Sequence, residues 1–178
     1  MKKVIALGGS NSKNSINKAL AGYAANQLNE VEVVLLDLND FELPMYGIDH
    51  EMTHGIPPDA TRMTDLIADA DGLVVSLAEH NGSYAAAFKN AFDWMSRVGK
   101  EVWQNKPMLL MATSPGGRGG ATVLNAAATS FPHLGGNIVG RFSLPAFNAN
   151  FRESGIADDA LAAEFRTQIE ALQAAIDG

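Results

Sequence analysis

The 178-residue chain is 47% hydrophobic, which suits one buried core and leaves little for a second. Its formal net charge of −7 disfavours nucleic acid and anionic membranes as partners, because proteins that bind either usually present a basic face. The lack of cysteine excludes disulfides, thiol nucleophiles and thiolate metal sites.

The start of the chain carries no signal-type segment. Met1–Lys3 lead directly into the apolar run Val4–Leu7, and no apolar run reaches the roughly 18 residues of a membrane span. We therefore expect one cytoplasmic domain, residues 1–178, without membrane contact.

Apolar strands and amphipathic helices alternate along the chain. The predicted elements, in order, are a strand at Val4–Leu7, a helix from Ile16 to about Asn29, a buried strand at Val31–Leu38, a helix over about Ala60–Asp69, a strand at Gly72–Leu77, a helix at Ser83–Arg97, a strand at Pro107–Thr113, a helix at Gly120–Thr129, a strand at Asn137–Ser143 and a helix at Asp158–Ala175. Asn39–Asp59, rich in proline and glycine, predicts a long surface loop, and Pro145–Ile156 a second irregular stretch. Continuous apolar strands separated by helices indicate a parallel sheet covered on both faces, an α/β/α arrangement.

Polar residues crowd the segment after the first strand, Gly8–Asn17, where a helix begins. Unpaired N–H groups at a helix N-terminus, together with hydroxyls and amides, suit a phosphate. The segment matches neither GxxxxGK[ST] nor GxGxxG, so P-loop and Rossmann sites lose support. Ser15 or Asn14 acting only as an N-cap is the equally weighted alternative.

Glycine-rich segments follow the next two central strands, at Ala78–Tyr84 and Ser114–Gly120. Ligands of doubly wound sheets bind at the carboxyl ends of the strands, and glycine lets backbone groups approach a flat ring. The three segments together predict a site for a phosphorylated planar cofactor.

Three motifs resemble the NAD(P)H-dependent FMN reductases of the flavodoxin-like fold, which include bacterial quinone, chromate and azo-dye reductases. Gly9-Ser10, Ser15 and Asn17 resemble the family's GSxRxxSxN pattern. Glu79, Asn81 and Gly82, followed by Lys89–Trp94, resemble PEYNxSxPxxLKNAxDW, and Ser114–Gly116 with Gly119-Gly120 resemble its third loop.

The resemblance implies a flavodoxin-like three-layer α/β/α sandwich with a five-stranded parallel sheet of order 2-1-3-4-5. It implies that FMN takes hydride from NADH or NADPH and passes it by a ping-pong route to a small acceptor: a quinone, azo compound, metal ion or free flavin. The implied FMN contacts are Ser10, Ser12, Ser15, Ile16 and Asn17 around the phosphate, and Ala78, Glu79, His80, Asn81, Gly82, Ser114, Pro115, Gly116, Gly117, Arg118 and Gly119 around the isoalloxazine.

The chain departs from the family pattern at several positions. Ser12 replaces an arginine, Ala78 a proline and His80 a tyrosine, and Ala85 or Ala86 stands at the second proline. Loss of the arginine removes a bidentate phosphate ligand, which predicts weaker FMN binding unless Lys13 compensates.

Among the charged residues and histidines, His80 and Arg118 are candidate substrate contacts, with solvated surface residues as the alternative. We expect no metal site, because His50, His54 and His133 lack ligand spacing and the first two fall in the predicted loop.

Apolar side chains on the predicted 83–97 helix exceed what one buried face requires; they include Phe88, Phe92, Trp94 and Met95. The family packs this helix against another subunit, so we expect a homodimer or homotetramer.

An electron-carrier flavodoxin is the main functional rival, but flavodoxins usually sandwich the ring between aromatic residues, whereas these loops are glycine-rich. A non-catalytic FMN-binding module is the second rival.

Overall fold

A computed structural model describes residues 1–178 and places a five-stranded parallel sheet at the centre. The strands are β1 (Lys2–Gly9), β2 (Val31–Leu36), β3 (Gly72–Leu77), β4 (Pro107–Thr113) and β5 (Asn137–Leu144). Their order across the sheet, β2-β1-β3-β4-β5, confirms the predicted fold class. The winding direction reverses between β1 and β3, where Leu7 lies opposite Val75.

Helices cover both faces of the sheet. They are α1 (Ile16–Ala25), α2 (Ile48–His54), α3 (Pro58–Ala68), α4 (Ala86–Val98), α5 (Ala121–Ser130), the single turn α6 (Phe147–Asn150) and α7 (Asp159–Asp177). Alternate residues of β1 serve the two cores: Val4 and Ala6 pack with α1 and α7, whereas Ile5 and Leu7 pack with α3, α4 and α5. No helix combines the length and apolar character needed to cross a membrane.

The second strand is an edge strand, so the prediction of a fully buried strand at 31–38 is wrong. β2 has a neighbour on one side only and ends at Leu36, and Leu35 is 48% exposed. A 3₁₀ turn at Leu38–Asp40 follows it, with the Asp37 carboxylate accepting from Asn39 N at 2.9 Å.

Part of the predicted 39–59 loop is helical. Residues Ile48–His54 form α2, which ends at Gly55 with a φ of +77°. Contacts with α4 hold this segment: Tyr46 N donates to Asn90 Oδ1 at 2.8 Å, and Arg97 Nε donates to Glu51 Oε2 at 2.9 Å. These long-range contacts stabilise a helix whose proline- and glycine-rich flanks indicated a loop.

The helix predicted from Ser83 begins three residues later. Glu79–His80 and Ser83–Tyr84 pair as a small antiparallel hairpin instead. Its turn residues Asn81 and Gly82 both have positive φ, at +52° and +75°, which is the type I′ geometry that Asn-Gly favours.

The apolar residues of α4 are buried within the chain, so the predicted exposed surplus on this helix is wrong. Phe88, Trp94 and Met95 are 0 to 1% exposed and Phe92 is 7% exposed. Trp94 Nε1 donates to the Pro44 carbonyl at 2.7 Å, because the 41–56 segment folds over this side of α4.

The irregular stretch Pro145–Ile156 contains α6 and a hairpin of Phe151–Arg152 with Gly155–Ile156. It packs on α1, where the Tyr23 and Phe151 ring centroids lie 5.2 Å apart.

Candidate functional site

The segments after β1, β3 and β4 meet in one cleft of about 330 Å³ at the carboxyl edge of the sheet. It is lined by Ser10, Ser12, Asn14, Ser15, Ile16, Asn17, Ala78, Glu79, His80, Thr113, Ser114 and Pro115. Parallel strands end at the same edge, so residues about 100 positions apart in sequence become neighbours. Asn81, Gly82 and residues 116–119 continue the second and third segments but do not line this cleft.

The segment from Gly8 to Asn17, called the first loop below, presents backbone donors to the cleft. Ser15 is the N-cap of α1, its Oγ accepting from Lys18 N at 3.1 Å, as the N-cap alternative predicts. The next two backbone N–H groups, of Ile16 and Asn17, have no acceptor within the chain. The Ser15 cap therefore leaves two donors at the start of α1 free, which is the arrangement that suits an anion.

The Asn17 side chain forms hydrogen bonds to two strands of the sheet beneath the first loop. The side chain is 2% exposed, with Oδ1 accepting from Ser76 Oγ at 2.7 Å and from Thr113 N at 3.1 Å. Its Nδ2 donates to the Thr113 carbonyl at 3.1 Å. The side chain is therefore committed to β3 and β4, and the backbone N–H of Asn17 is free for a ligand.

Sequence reasoning missed Ser76 and Thr113 as members of this network. Each is a polar residue within an otherwise apolar strand and is at most 1% exposed. A buried hydroxyl requires a hydrogen-bond partner, and that requirement is the signal by which the sequence indicates them.

An ion pair outside the cleft supports the first loop. Lys18 Nζ contacts Asp37 Oδ2 at 2.5 Å, and Asn39 Nδ2 donates to the Asn11 carbonyl at 3.1 Å. The Lys18 ammonium, followed by the Asn39 backbone N–H, lowers the pKa of Asp37 below its usual range. The segment after β2 thus fixes the first loop from the side opposite β3.

The second loop is the 79–84 hairpin, and Glu79 joins it to α5. Glu79 Oε2 accepts from Val123 N, in the first turn of α5, at 3.0 Å. Since α5 has Gly120 at its N-cap and no side-chain cap of its own, this carboxylate supplies the capping charge from another segment. His80 is exposed on the same hairpin and makes no side-chain hydrogen bond.

Two kinds of glycine occur in the third loop, Ser114–Gly120. A Cβ on Gly119, which has a φ of +57°, would lie 2.4 Å from Ser143 Oγ and 2.9 Å from Pro145 N. A Cβ on Gly117 would meet nothing within 4 Å. The backbone at position 119 therefore requires glycine, whereas at position 117 there is open space beside the backbone.

Arg118 projects from this loop with its side chain 82% exposed. Its Nη2 lies 3.9 Å from Glu79 Oε1, a distance too long for a hydrogen bond. The guanidinium is therefore available to an anionic ligand near the cleft.

The cleft lining has the chemistry of a binding site. Hydroxyls and free N–H groups occupy the first loop, and the Glu79 carboxylate in the cleft is already engaged by α5. Such a lining suits a phosphate beside a flat group held by backbone atoms.

The chain is similar to known proteins in sequence and in fold. A family model for NADPH-dependent FMN reductase matches residues 2–151. A quinone reductase of Escherichia coli K12 is 32% identical over 123 residues, covering 67% of this chain and 63% of that protein. A 2-hydroxy-1,4-benzoquinone reductase of a Burkholderia species is 36% identical over 121 residues, covering 67% and 64%.

The structure of FerB, a flavoenzyme NAD(P)H:(acceptor) oxidoreductase from Paracoccus denitrificans, aligns with a TM-score of 0.74 at 28% identity. That alignment covers 99% of this chain and 98% of FerB. The segments matched in the two curated relatives above span less than two thirds of their lengths. The family match extends from β1 through all three loops to the start of the second hairpin, and the chain belongs to the NADPH-dependent FMN reductase family.

Proposed function

We propose that this chain is a single-domain FMN oxidoreductase that takes hydride from NADH or NADPH and delivers it to a small acceptor. The observation that carries the proposal is the meeting of three loops in one cleft, with free N–H groups at the start of α1. The quinone reductases among the relatives make a quinone the favoured acceptor class.

The residues of the cleft fit FMN. The N–H groups of Ile16 and Asn17, with the hydroxyls of Ser10, Ser12 and Ser15, would hold its phosphate. Backbone groups of residues 78–82 and 114–119 would hold the ring, and the open space beside Gly117 admits a flat group. When bound, FMN supplies the hydride chemistry, accepting from a nicotinamide and donating to the acceptor.

The chain's own contribution is to orient the ring and leave one face accessible. Glu79 fixes the hairpin against α5, so the second and third loops keep their separation. His80 and Arg118 stand exposed beside the cleft, where they would contact the acceptor or the phosphates of the nicotinamide. With one accessible face, donor and acceptor would bind in turn, giving ping-pong kinetics.

The cleft lining argues against an electron-carrier flavodoxin. It contains no phenylalanine, tyrosine or tryptophan that would cover the ring.

Anaerobic mixing tests the proposal. The purified chain, loaded with FMN, should lose its flavin absorbance on addition of NADPH or NADH and recover it on addition of a benzoquinone. Steady-state rates at varied concentrations of both substrates should give parallel double-reciprocal lines. A protein that fails to bind FMN, or whose flavin neither nicotinamide bleaches, would refute the reductase proposal, and intersecting lines would refute the ping-pong route.

We also propose a homodimer, formed through a surface other than α4. Large apolar side chains are exposed on the 41–56 segment: Met45 at 74%, Ile48 at 54%, Met52 at 80% and Ile56 at 37%. We call these four residues the 45–56 apolar surface. Exposed apolar clusters of this kind mark interaction sites.

A further inference from the structure

Two histidines lie one helical turn apart on α2. The sequence predicts a loop at His50 and His54, but in the structure both lie within the helix Ile48–His54, at positions i and i+4. Side chains at this spacing are neighbours on a helix surface. Their imidazole ring centroids are 4.6 Å apart.

This separation suits a shared metal ion. A transition metal bound to imidazole nitrogen has bonds of about 2.0–2.1 Å, so two nitrogens in adjacent coordination positions lie about 3 Å apart. A ring centroid lies about 3 Å from a metal bound through one of the ring nitrogens, so centroids 4.6 Å apart are compatible with one shared ion. His54 is exposed and His50 half-buried, so solvent can reach the pair and supply further ligands.

Neighbouring groups hold His50 and leave the pair's nitrogens free. The His50 ring meets Trp94 edge to face at a centroid distance of 5.9 Å. Neither imidazole makes a hydrogen bond or ion pair within the chain. The positive charge of Arg97 on this side of the segment is offset by its ion pair with Glu51.

The pair also faces away from the apolar residues of α2. At about 100° per residue, His50 and His54 lie about 200° around the helix from Ile48 and Met52, respectively. A homodimer formed through the 45–56 apolar surface would therefore leave the histidines accessible.

We propose that His50 and His54 form a two-nitrogen site for a divalent transition-metal ion, with water completing the coordination. Imidazole suits Zn²⁺, Ni²⁺ and Cu²⁺, and among these the affinity is highest for Cu²⁺. The site is separate from the cleft described above, and its occupancy does not depend on the proposed function.

Copper titration of the full-length, tag-free protein tests the site. Trp94 lies against His50, so Cu²⁺ bound there should quench part of the tryptophan emission with one equivalent bound per chain. Electron paramagnetic resonance of the one-equivalent complex should show coupling to two imidazole nitrogens. Calorimetry gives the dissociation constant.

Variants test whether His50 and His54, and not other side chains, bind the copper ion. H50Q and H54Q should each weaken Cu²⁺ binding by about tenfold or more, because one of two protein ligands is lost. The double variant D49H/H50Q keeps the number of histidines but separates the two on α2 by five positions, about 140° around the helix, and should weaken binding as much as H50Q. H133Q, on a turn at Phe131–Leu134, is the matched control and should leave binding unchanged.

Results of the opposite kind would overturn the proposal. They are full Cu²⁺ affinity in D49H/H50Q or in either single variant, loss of binding in H133Q, or a spectrum with fewer than two coupled nitrogens. Circular dichroism of each variant confirms that it is folded, so that lost binding reports on the ligands.

Discussion

Ser12 occupies the position in the first loop where the family motif carries an arginine. Its side chain is exposed and makes no hydrogen bond, since only its backbone N and O bond to Ser10 Oγ and Ser15 N. The substitution S12R therefore disturbs no native contact. It should tighten FMN binding by about tenfold, the order of one charge-assisted bidentate contact to phosphate.

Lys13, the next residue, is exposed and unpaired. K13A should weaken FMN binding by a few-fold, because Lys13 is the only cation in the first loop and would take the place of the missing arginine. K100A, at an exposed lysine beyond α4, is the matched control. Fluorescence titration of FMN measures all three variants, and equal affinities for S12R, K13A and the native chain would place the phosphate elsewhere.

The Asp37–Lys18 ion pair gives a stability term that depends on pH. The folded-state pKa of Asp37 is lowered, chiefly by the Lys18 ammonium, so its contribution is present above the unfolded pKa of about 3.9. That contribution is lost as pH falls through the lowered folded-state value. D37N should therefore cost about 0.5–1 kcal/mol at pH 7, since the pair is partly solvated.

Urea denaturation at a series of pH values measures this term. The difference between D37N and the native chain should be constant from pH 7 to about pH 5, then narrow as pH falls below about 3.9. If the difference in unfolding free energy stayed the same at the lowest pH, the effect of D37N would come from the shape of the side chain and not from its charge.

At the scale of the element, two of the four glycines of the third loop, Gly117 and Gly119, separate folding from binding. G119A should lower the free energy of unfolding by about 1–3 kcal/mol, because it combines a positive φ with contacts under 3 Å to Ser143 Oγ and Pro145 N. G117A should change stability by less than about 0.5 kcal/mol, since nothing lies within reach of its Cβ. Yet G117A should weaken FMN binding, because the methyl group enters the space proposed for the ring.

Denaturation and FMN titration on both variants check this pair. Unchanged FMN affinity in G117A would move the ring away from the third loop without altering the fold assignment.

Glu79 of the hairpin stabilises the N-terminus of α5. Its carboxylate caps α5 from the hairpin, so E79Q should lose the favourable charge near the helix N-terminus and about 0.5–1 kcal/mol of stability. E164Q, on the exposed side of α7, is the control and should be neutral. Thermal unfolding of both variants distinguishes them, and equal melting temperatures would remove the capping role.

At the scale of the whole molecule, the 45–56 apolar surface sets the expected assembly. I48E/M52E should shift a homodimer to monomer in sedimentation velocity, since burying two carboxylates without partners is costly. L35E places a charge on an exposed apolar residue of β2 and should leave the assembly intact. A dimer that survives I48E/M52E would show that another surface forms it.

The order of strands and helices could be predicted because continuous apolar strands and helical periodicity are local properties of the sequence. The cleft could be predicted in outline for a similar reason: in a parallel sheet all strands end at one edge, so the polar segments after β1, β3 and β4 must meet. Even the turn of the 79–84 hairpin carries a local signal, because Asn-Gly favours the positive φ that both of its residues adopt.

The features that depend on long-range contacts were decided only by the tertiary structure. The helix α2 lies in a segment whose prolines and glycines indicate a loop, and its packing on α4 makes neighbours of His50 and His54. Burial of Trp94 depends on the same segment, which covers α4 and exposes other apolar residues in its place. The side chain of Asn17 points into the sheet because Ser76 and Thr113, distant in sequence, bring hydrogen-bonding groups to it there. Sequence periodicity determined which elements form, whereas the partners of each polar side chain were decided by the packing that brings distant residues together.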